Sequence, residues 1–172
     1  MIIRLLHAED AQAYKKLRLS ALQECPSAFS ASYEDEVDRS INDVAARIQP
    51  AADGSVCVLG VFRIDDLAGF VAIIHPPRAK LRHNVELAGM YVDPPCRRHG
   101  LGRGLLGAAI DHARSIDGVR QIKLGVNATN MAAKALYQSM GFERFGVEPD
   151  ALNVDGRFYD EEHYMLRLSS SD

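Results

Sequence analysis

Four things are scarce or missing in this 172-residue chain, and each removes a class of function. Cysteine is scarce. Cys25, Cys57 and Cys96 are odd in number and widely spaced, which fits neither a disulfide framework nor a zinc pattern. A reducing cytoplasm is the simplest home for such a chain, and no bound metal is expected. Long apolar runs are missing. None approaches the ~18 residues of a transmembrane helix, and Met1-Ile2-Ile3-Arg4-Leu5-Leu6 lacks the basic and apolar regions of a signal peptide. An excess of one charge is missing too. A net charge of −3 leaves no electrostatic footprint for nucleic acid or an anionic membrane. Repeats, low-complexity blocks and long linkers are also lacking, so residues 1–172 are expected to form a single domain.

What is present is an ordinary globular balance, 47% hydrophobic and 25% charged, with clear periodicities. Ile2 to Leu6 reads as a strand. Glu9 to Cys25 reads as a helix with an apolar stripe, ended by Pro26. Tyr33 to Ile48 reads as a second helix, acidic at its start. Ser55 to Ile64 and Leu67 to Ile74 read as a hairpin turning at Asp65-Asp66. Asn84 to Val92 is the next strand, then comes a helix from Leu101 to about Ile116. Gln121 to Val126 is a strand and Asn130 to Met140 a short helix that Gly141 breaks. Phe142 starts another strand. After a polar loop around Pro149-Asp150, Phe158 to Leu168 closes the fold, and a polar Ser-rich tail follows. Hairpins followed by a strand-helix-strand-helix-strand run predict an α+β sheet of about six or seven strands with helices on both faces.

The chain is organised around Val92-Asp93-Pro94-Pro95-Cys96-Arg97-Arg98-His99-Gly100-Leu101-Gly102-Arg103-Gly104. A strand, a cationic glycine-rich turn and a helix N-terminus make an anion site. The first helical N–H groups have no internal partner and the helix dipole favours negative charge. Glycines let the backbone approach a phosphate closely. A dinucleotide-binding turn needs glycines at the first, third and sixth of six places, and Gly100, Gly102 and Gly104 do not fit. A triphosphate loop needs Gly-Lys-Ser or Gly-Lys-Thr, and neither occurs. A purely structural turn is the third reading. Arg97, Arg98 and Arg103 argue against it, since clustered cations call for an anion.

The run Val92-x-Pro94-x-x-Arg97-x-x-Gly100-x-Gly102 resembles the acetyl-CoA signature of the GNAT superfamily of N-acetyltransferases. A second block, Leu124 to Phe142, resembles the family's later block. It contains Asn130, Ala133, the Leu136-Tyr137 pair and Gly141-Phe142 at the family's spacing. The resemblance is strong from about Glu86 to Leu168 and agrees only in element order before that. It implies a GNAT-type, mostly antiparallel sheet, acetyl-CoA as cofactor and a primary amine as acceptor, either a small molecule or a peptide, in a monomer or homodimer.

The resemblance also implies roles. The diphosphate of coenzyme A would sit on the backbone N–H groups of Arg97, Arg98, His99, Gly100, Leu101 and Gly102. The Arg97 and Arg98 side chains are expected on phosphate, with Arg103 and Lys134 as weaker candidates. The pantetheine arm would pair with the edge of Met90, Tyr91 and Val92. Glu86, four residues before Met90, is the candidate base, with His83 and Asp93 as lesser ones. Glu86, Ala88, Met90 and Val92 share a face unless a bulge shifts the register. A backbone N–H near Met90 is the candidate oxyanion donor. Tyr137 is the candidate general acid for the departing thiolate; packing alone is its alternative. Asn130 caps its helix or also holds the coenzyme arm. Phe29, Tyr33 and Tyr159 are candidates for the acceptor pocket. Glu34 to Asp38 reads as a solvated helix face or as a steering field for a cationic amine, and Asp160, Glu161 and Glu162 raise the same choice. Cys96 has no evident base and is not expected to be a nucleophile. A non-catalytic acyl-CoA sensor and an acetyltransferase of protein N-termini or lysines are the alternatives.

Overall fold

The computed structural model describes residues 1–168, and the expected Ser-rich tail lies outside the described residues. In chain order the elements are β1 (Ile2–Leu5), α1 (Ala11–Glu24), α2 (Tyr33–Glu36), α3 (Ile41–Ile48), β2 (Val56–Arg63), β3 (Asp66–Ile74), β4 (Asn84–Val92), α4 (Leu101–Ser115), β5 (Gln121–Asn127), α5 (Met131–Ser139), β6 (Glu143–Val154) and β7 (Arg157–Arg167). The strands form one sheet in the order β1-β2-β3-β4-β5-β7-β6. Only the β4–β5 pair is parallel. Helices cover both faces, as an α+β reading requires. α1 and α3 pack with Phe62, Phe70 and Tyr91 on one face. α4 and Tyr137 of α5 pack with Val85, Leu87, Ile122 and Leu124 on the other.

Three elements differ from the sequence expectation for local reasons. The stretch read as one helix from Tyr33 to Ile48 is two. Ser40 accepts from the Asp43 N–H and caps a new helix, while Ser32 and Asp35 form a capping box on the first. The hairpin turns at Ile64-Asp65 rather than Asp65-Asp66, with Ile64 at φ +57°. The polar stretch at Pro149-Asp150 is not a loop but part of β6, where the register against β7 shifts between Glu148 and Leu152.

One irregularity positions the site. β4 pairs with β5 only from Asn84↔Gln121 to Leu87↔Leu124. Beyond that, β4 continues along β3 and β5 along β7, so the sheet opens between them. At the opening Ala72 faces Ala88, yet Phe70 faces Tyr91, so β4 carries one extra residue. Gly89, at φ +59°, makes this bulge possible. The bulge inverts the alternation of side chains. Met90 and Val92 join the α4 cluster and Tyr91 joins the α1 cluster. The shared face expected for Glu86, Ala88, Met90 and Val92 therefore ends at Ala88.

Candidate active site

The glycine-rich turn forms an open helix N-terminus. Pro94–Cys96 makes a single 3-10 turn, and the Arg97 N–H donates to the Pro94 carbonyl at 3.1 Å. Arg98 and Gly100 both take left-handed backbone, at φ +65° and +78°. No side chain caps α4, and its backbone ladder begins with the Gly104 N–H on the Gly100 carbonyl at 2.9 Å. The N–H groups of Leu101, Gly102 and Arg103 therefore point out of the helix end. Leu101 itself is buried in the core, which fixes that end in place. A side chain at Gly100 would meet nothing within 4 Å, whereas one at Gly102 would lie 3.5 Å from Leu136 and 3.8 Å from Met90 and Val92. Gly102 thus lies between α5 and the edge of β4, at ordinary packing distance from both. His99 is exposed and its Nδ1 lies 2.8 Å from the Arg97 carbonyl oxygen.

The cationic side chains divide differently from expectation. Arg97 donates through both terminal nitrogens to Glu24 at 3.0 and 2.9 Å and through Nε to the Val92 carbonyl at 2.8 Å. The Tyr91 hydroxyl donates to the same carboxylate at 2.5 Å. Burial alone would push the Glu24 carboxyl up, but the hydrogen bonds from Tyr91 and Arg97 outweigh it and hold it below its usual range. Arg97 is therefore a strap tying the turn to α1. Arg103 donates to Ser139 at 2.8 Å and to the Met140 sulfur at 3.1 Å. Lys134 donates to the Ala128 carbonyl at 2.8 Å and to Glu162 at 3.1 Å in a pair sheltered from solvent. Of the four expected phosphate cations, Arg98 alone is exposed with no partner among the described residues. Asn130 accepts from the Ala133 N–H at 3.1 Å, so its oxygen caps α5.

On the α4 face of the opening stands Tyr137. It is 8% exposed and packs near Phe142 and Tyr164. Burial pushes its hydroxyl up to about 12, so it stays protonated across the neutral range.

On the opposite face lies a cleft of about 900 Å³, between the sheet and α1, α3 and the Phe29 segment. Glu86, Ala88 and Gly89 line it from β4, Gly125 from β5 and Glu161 from β7. Glu161 lies across Gly125, where any side chain would collide with its carboxylate. Burial pushes the Glu161 carboxyl up, Glu148 and Glu86 add to this, and His163 opposes it. Phe29 lines this cleft as expected, with the Arg18 guanidinium 4.6 Å over its ring. Tyr33 lines a smaller pocket behind Phe29, and Tyr159 lines neither, with Arg157 over its ring at 4.9 Å. His83 and Asp93 do not line the cleft.

Two residues carry more than their sequence neighbourhoods signal. Glu36 sits in the acidic run read as a solvated face, yet it is buried and holds Arg18 through two bonds of 3.1 Å. Glu24 had no sequence signal at all, because its partner Arg97 is 73 residues away. Glu162, read with Asp160 and Glu161 as one group, points to the other face, where Tyr164 and Lys134 donate to it. Among the described residues no group of His, Cys, Asp and Glu is placed to hold a metal ion, and no helix is long and apolar enough to cross a membrane.

Comparison with known proteins agrees with this geometry. The acetyltransferase (GNAT) family model matches residues 18–142. The chain is 40% identical over 87 residues to the N-alpha-acetyltransferase RimI of Mycobacterium tuberculosis, covering 51% of this chain and 50% of the relative. It is 37% identical over 87 residues to the L-amino acid N-acyltransferase MnaT of Escherichia coli, covering 51% and 49%. The chain thus spans about half the length of these relatives, and 32% and 24% of two others. The yncA structure from Salmonella typhimurium, determined with its cofactor acetyl-CoA, superposes with a TM-score of 0.81 at 26% identity, covering 100% of this chain and 96% of that one. With its parted β4 and β5, its open helix end and these matches, the chain belongs to the GNAT family of acetyltransferases.

Proposed function

We propose that the protein is an acetyl-CoA-dependent N-acetyltransferase acting on a primary amine by direct attack on the thioester. The observation that carries this reading is the opening between β4 and β5. An uncapped helix end lies along it, a neutral buried phenol on one face and a carboxylate-lined cleft on the other. A diphosphate-bearing cofactor fits these residues, since three backbone N–H groups are unpartnered and the space at Gly100 is free of protein atoms.

Acetyl-CoA, when bound, supplies the acetyl thioester. The amides of Leu101, Gly102 and Arg103, aided by the Arg98 side chain, hold its diphosphate. The edge of Met90, Tyr91 and Val92, beyond the last β5 partner, takes the pantetheine amides as an added strand would. The Met90 N–H would bond the acyl oxygen. An alkylammonium has a pKa near ~10.4, so it must lose a proton before its nitrogen attacks. Glu86 faces the cleft and takes that proton, directly or through water. Tyr137 would protonate the departing sulfur, and the second proton lost by the nitrogen would restore the phenol through solvent. Glu86 and Tyr137 lie on opposite faces, so one reaction can use both only across the opening.

The decisive assay follows thiol release from acetyl-CoA over a panel of primary amines. Amine-dependent release is expected. Tight coenzyme A binding with no release from any amine would overturn the reading in favour of a non-catalytic sensor. The similarity to RimI supports a second reading, in which the amine is a protein N-terminus.

A further inference from the structure

We propose that Arg18 reads a carboxylate on the acceptor, so that the amine substrate is an amino acid carrying its carboxylate close to the reacting nitrogen. This rests on the N-acetyltransferase reading above. It adds the group that recognises the acceptor and the chemical class it selects.

The cleft is bipolar. Glu86 and Glu161 form its acidic end, close enough for each charge to be felt by the other. Its other wall carries Lys15, Arg18, Arg39 and Arg47 around a single carboxylate, Glu36. Arg18 uses Nε and Nη2 to bond Glu36 at 3.1 Å each, and Arg47 stands 4.0 Å from the same carboxylate. Lys15 donates to the Arg39 carbonyl and to no acid among the described residues. One carboxylate thus faces four cations, and the wall keeps a surplus of positive charge.

Arg18 presents that surplus where it matters. Its side chain is only 13% exposed, clamped by Glu36 and stacked over Phe29. A guanidinium has five donors in a fixed fork. Nη1 is the part of it that bonds no protein acceptor among the described residues, and a methyl group on Gly89 would lie 3.4 Å from it. The free edge of the guanidinium therefore faces the bulge at which the sheet opens. Glu86 lies three residues earlier on the same strand, ~10 Å away between Cα atoms. Two side chains reaching into that interval leave room for a short molecule with an ammonium at the Glu86–Glu161 end and a carboxylate at Arg18. A peptide N-terminus offers the amine without the nearby carboxylate.

The test measures binding and turnover in parallel. With coenzyme A present, calorimetry compares L-methionine, L-phenylalanine, L-glutamate and L-lysine, each beside its decarboxylated amine and its methyl ester. At least one amino acid should bind about tenfold or more tightly than both of its counterparts, the range for a charge-assisted hydrogen bond. Arg18→Lys should remove most of that preference, read as the ratio of the amino-acid affinity to that of its decarboxylated amine. Arg18→Gln with Glu36→Gln, which removes both buried charges together, should do the same if the single change impairs folding. Equal affinity of acids and amines, or no binding by any amino acid, overturns the proposal. So does a preference that survives both variants. The two readings fail separately. Acetyl transfer to decarboxylated amines as fast as to amino acids sinks the carboxylate site and leaves the acetyltransferase standing. An Arg18-dependent preference without thiol release does the reverse.

Discussion

Two arginine–glutamate pairs reach from α1 to the two ends of the site, and they are built differently. Arg97–Glu24 braces the proposed cofactor end, with side chains 43% and 35% exposed. Arg18–Glu36 braces the proposed acceptor end, with side chains 13% and 9% exposed. Both are two-bonded guanidinium–carboxylate pairs, end-on at Arg97 and side-on at Arg18, but they differ most in solvent. A half-exposed pair is screened and contributes little, whereas a buried one is costly to break because the surviving charge has lost its water. The cofactor turn is thus held mainly by its backbone and by Leu101 in the core, with the ion pair as a trim. The acceptor wall depends on its ion pair.

The largest effect is expected at the chemistry that both ends serve. Glu86→Gln should lower kcat by about 10²- to 10⁴-fold, the range for a positioned proton acceptor. Steady-state rates of the two proteins at saturating acetyl-CoA check this; an unaltered kcat means that another base or none operates. Next, Glu36→Ala should cost about 3–5 kcal/mol in urea unfolding, because it strands Arg18 in a buried site. If Arg39 and Arg47 merely reorient, the loss will be small and the contrast between the pairs fails. Tyr137→Phe should lower turnover by about 10²-fold with coenzyme A affinity little changed, seen by comparing kcat with the calorimetric Kd.

The smallest effect is at the exposed pair. Glu24→Gln should cost about 1 kcal/mol near neutral pH, after allowance for screening. Its sign with pH is fixed. The folded carboxyl titrates below its unfolded value. The stabilisation is therefore present above the unfolded value and is lost as pH falls through the lowered folded one. Thermal melts of the two proteins between pH 7 and 3 should converge on the acid side. A gap that widened there would contradict the assignment.

The same contrast governs what could be read from sequence. The cofactor end is made by contiguous residues. Gly100 and Gly102, the open α4 N-terminus and the capping Asn130 all follow from local backbone rules, and the sheet with helices on both faces follows from element order. What was not legible there was the partners of the side chains. Arg97, Arg103 and Lys134 look like free cations until Glu24, Ser139 and Glu162 arrive from elsewhere in the chain. The acceptor end is assembled from α1, α3, β4, β5 and β7, and no local pattern announces it. Glu36 lies in an acidic run that reads as solvated, and Glu161 stands between two other acids that alternate onto the opposite face of the strand. The Gly89 bulge inverts the register without any turn dipeptide to mark it. Alternation alone would have put Glu86 and Met90 on one side.

The central claim is that cofactor and acceptor approach from opposite faces and meet where β4 leaves β5. A crystal structure with bound coenzyme A tests it most directly. The account predicts a diphosphate within hydrogen-bond distance of the Leu101, Gly102 and Arg103 amides, a pantetheine arm along Met90 to Val92, and a thiol between Tyr137 and the Glu86 cleft. A coenzyme that bypassed the α4 N-terminus, or whose thiol lay away from the opening, would contradict it.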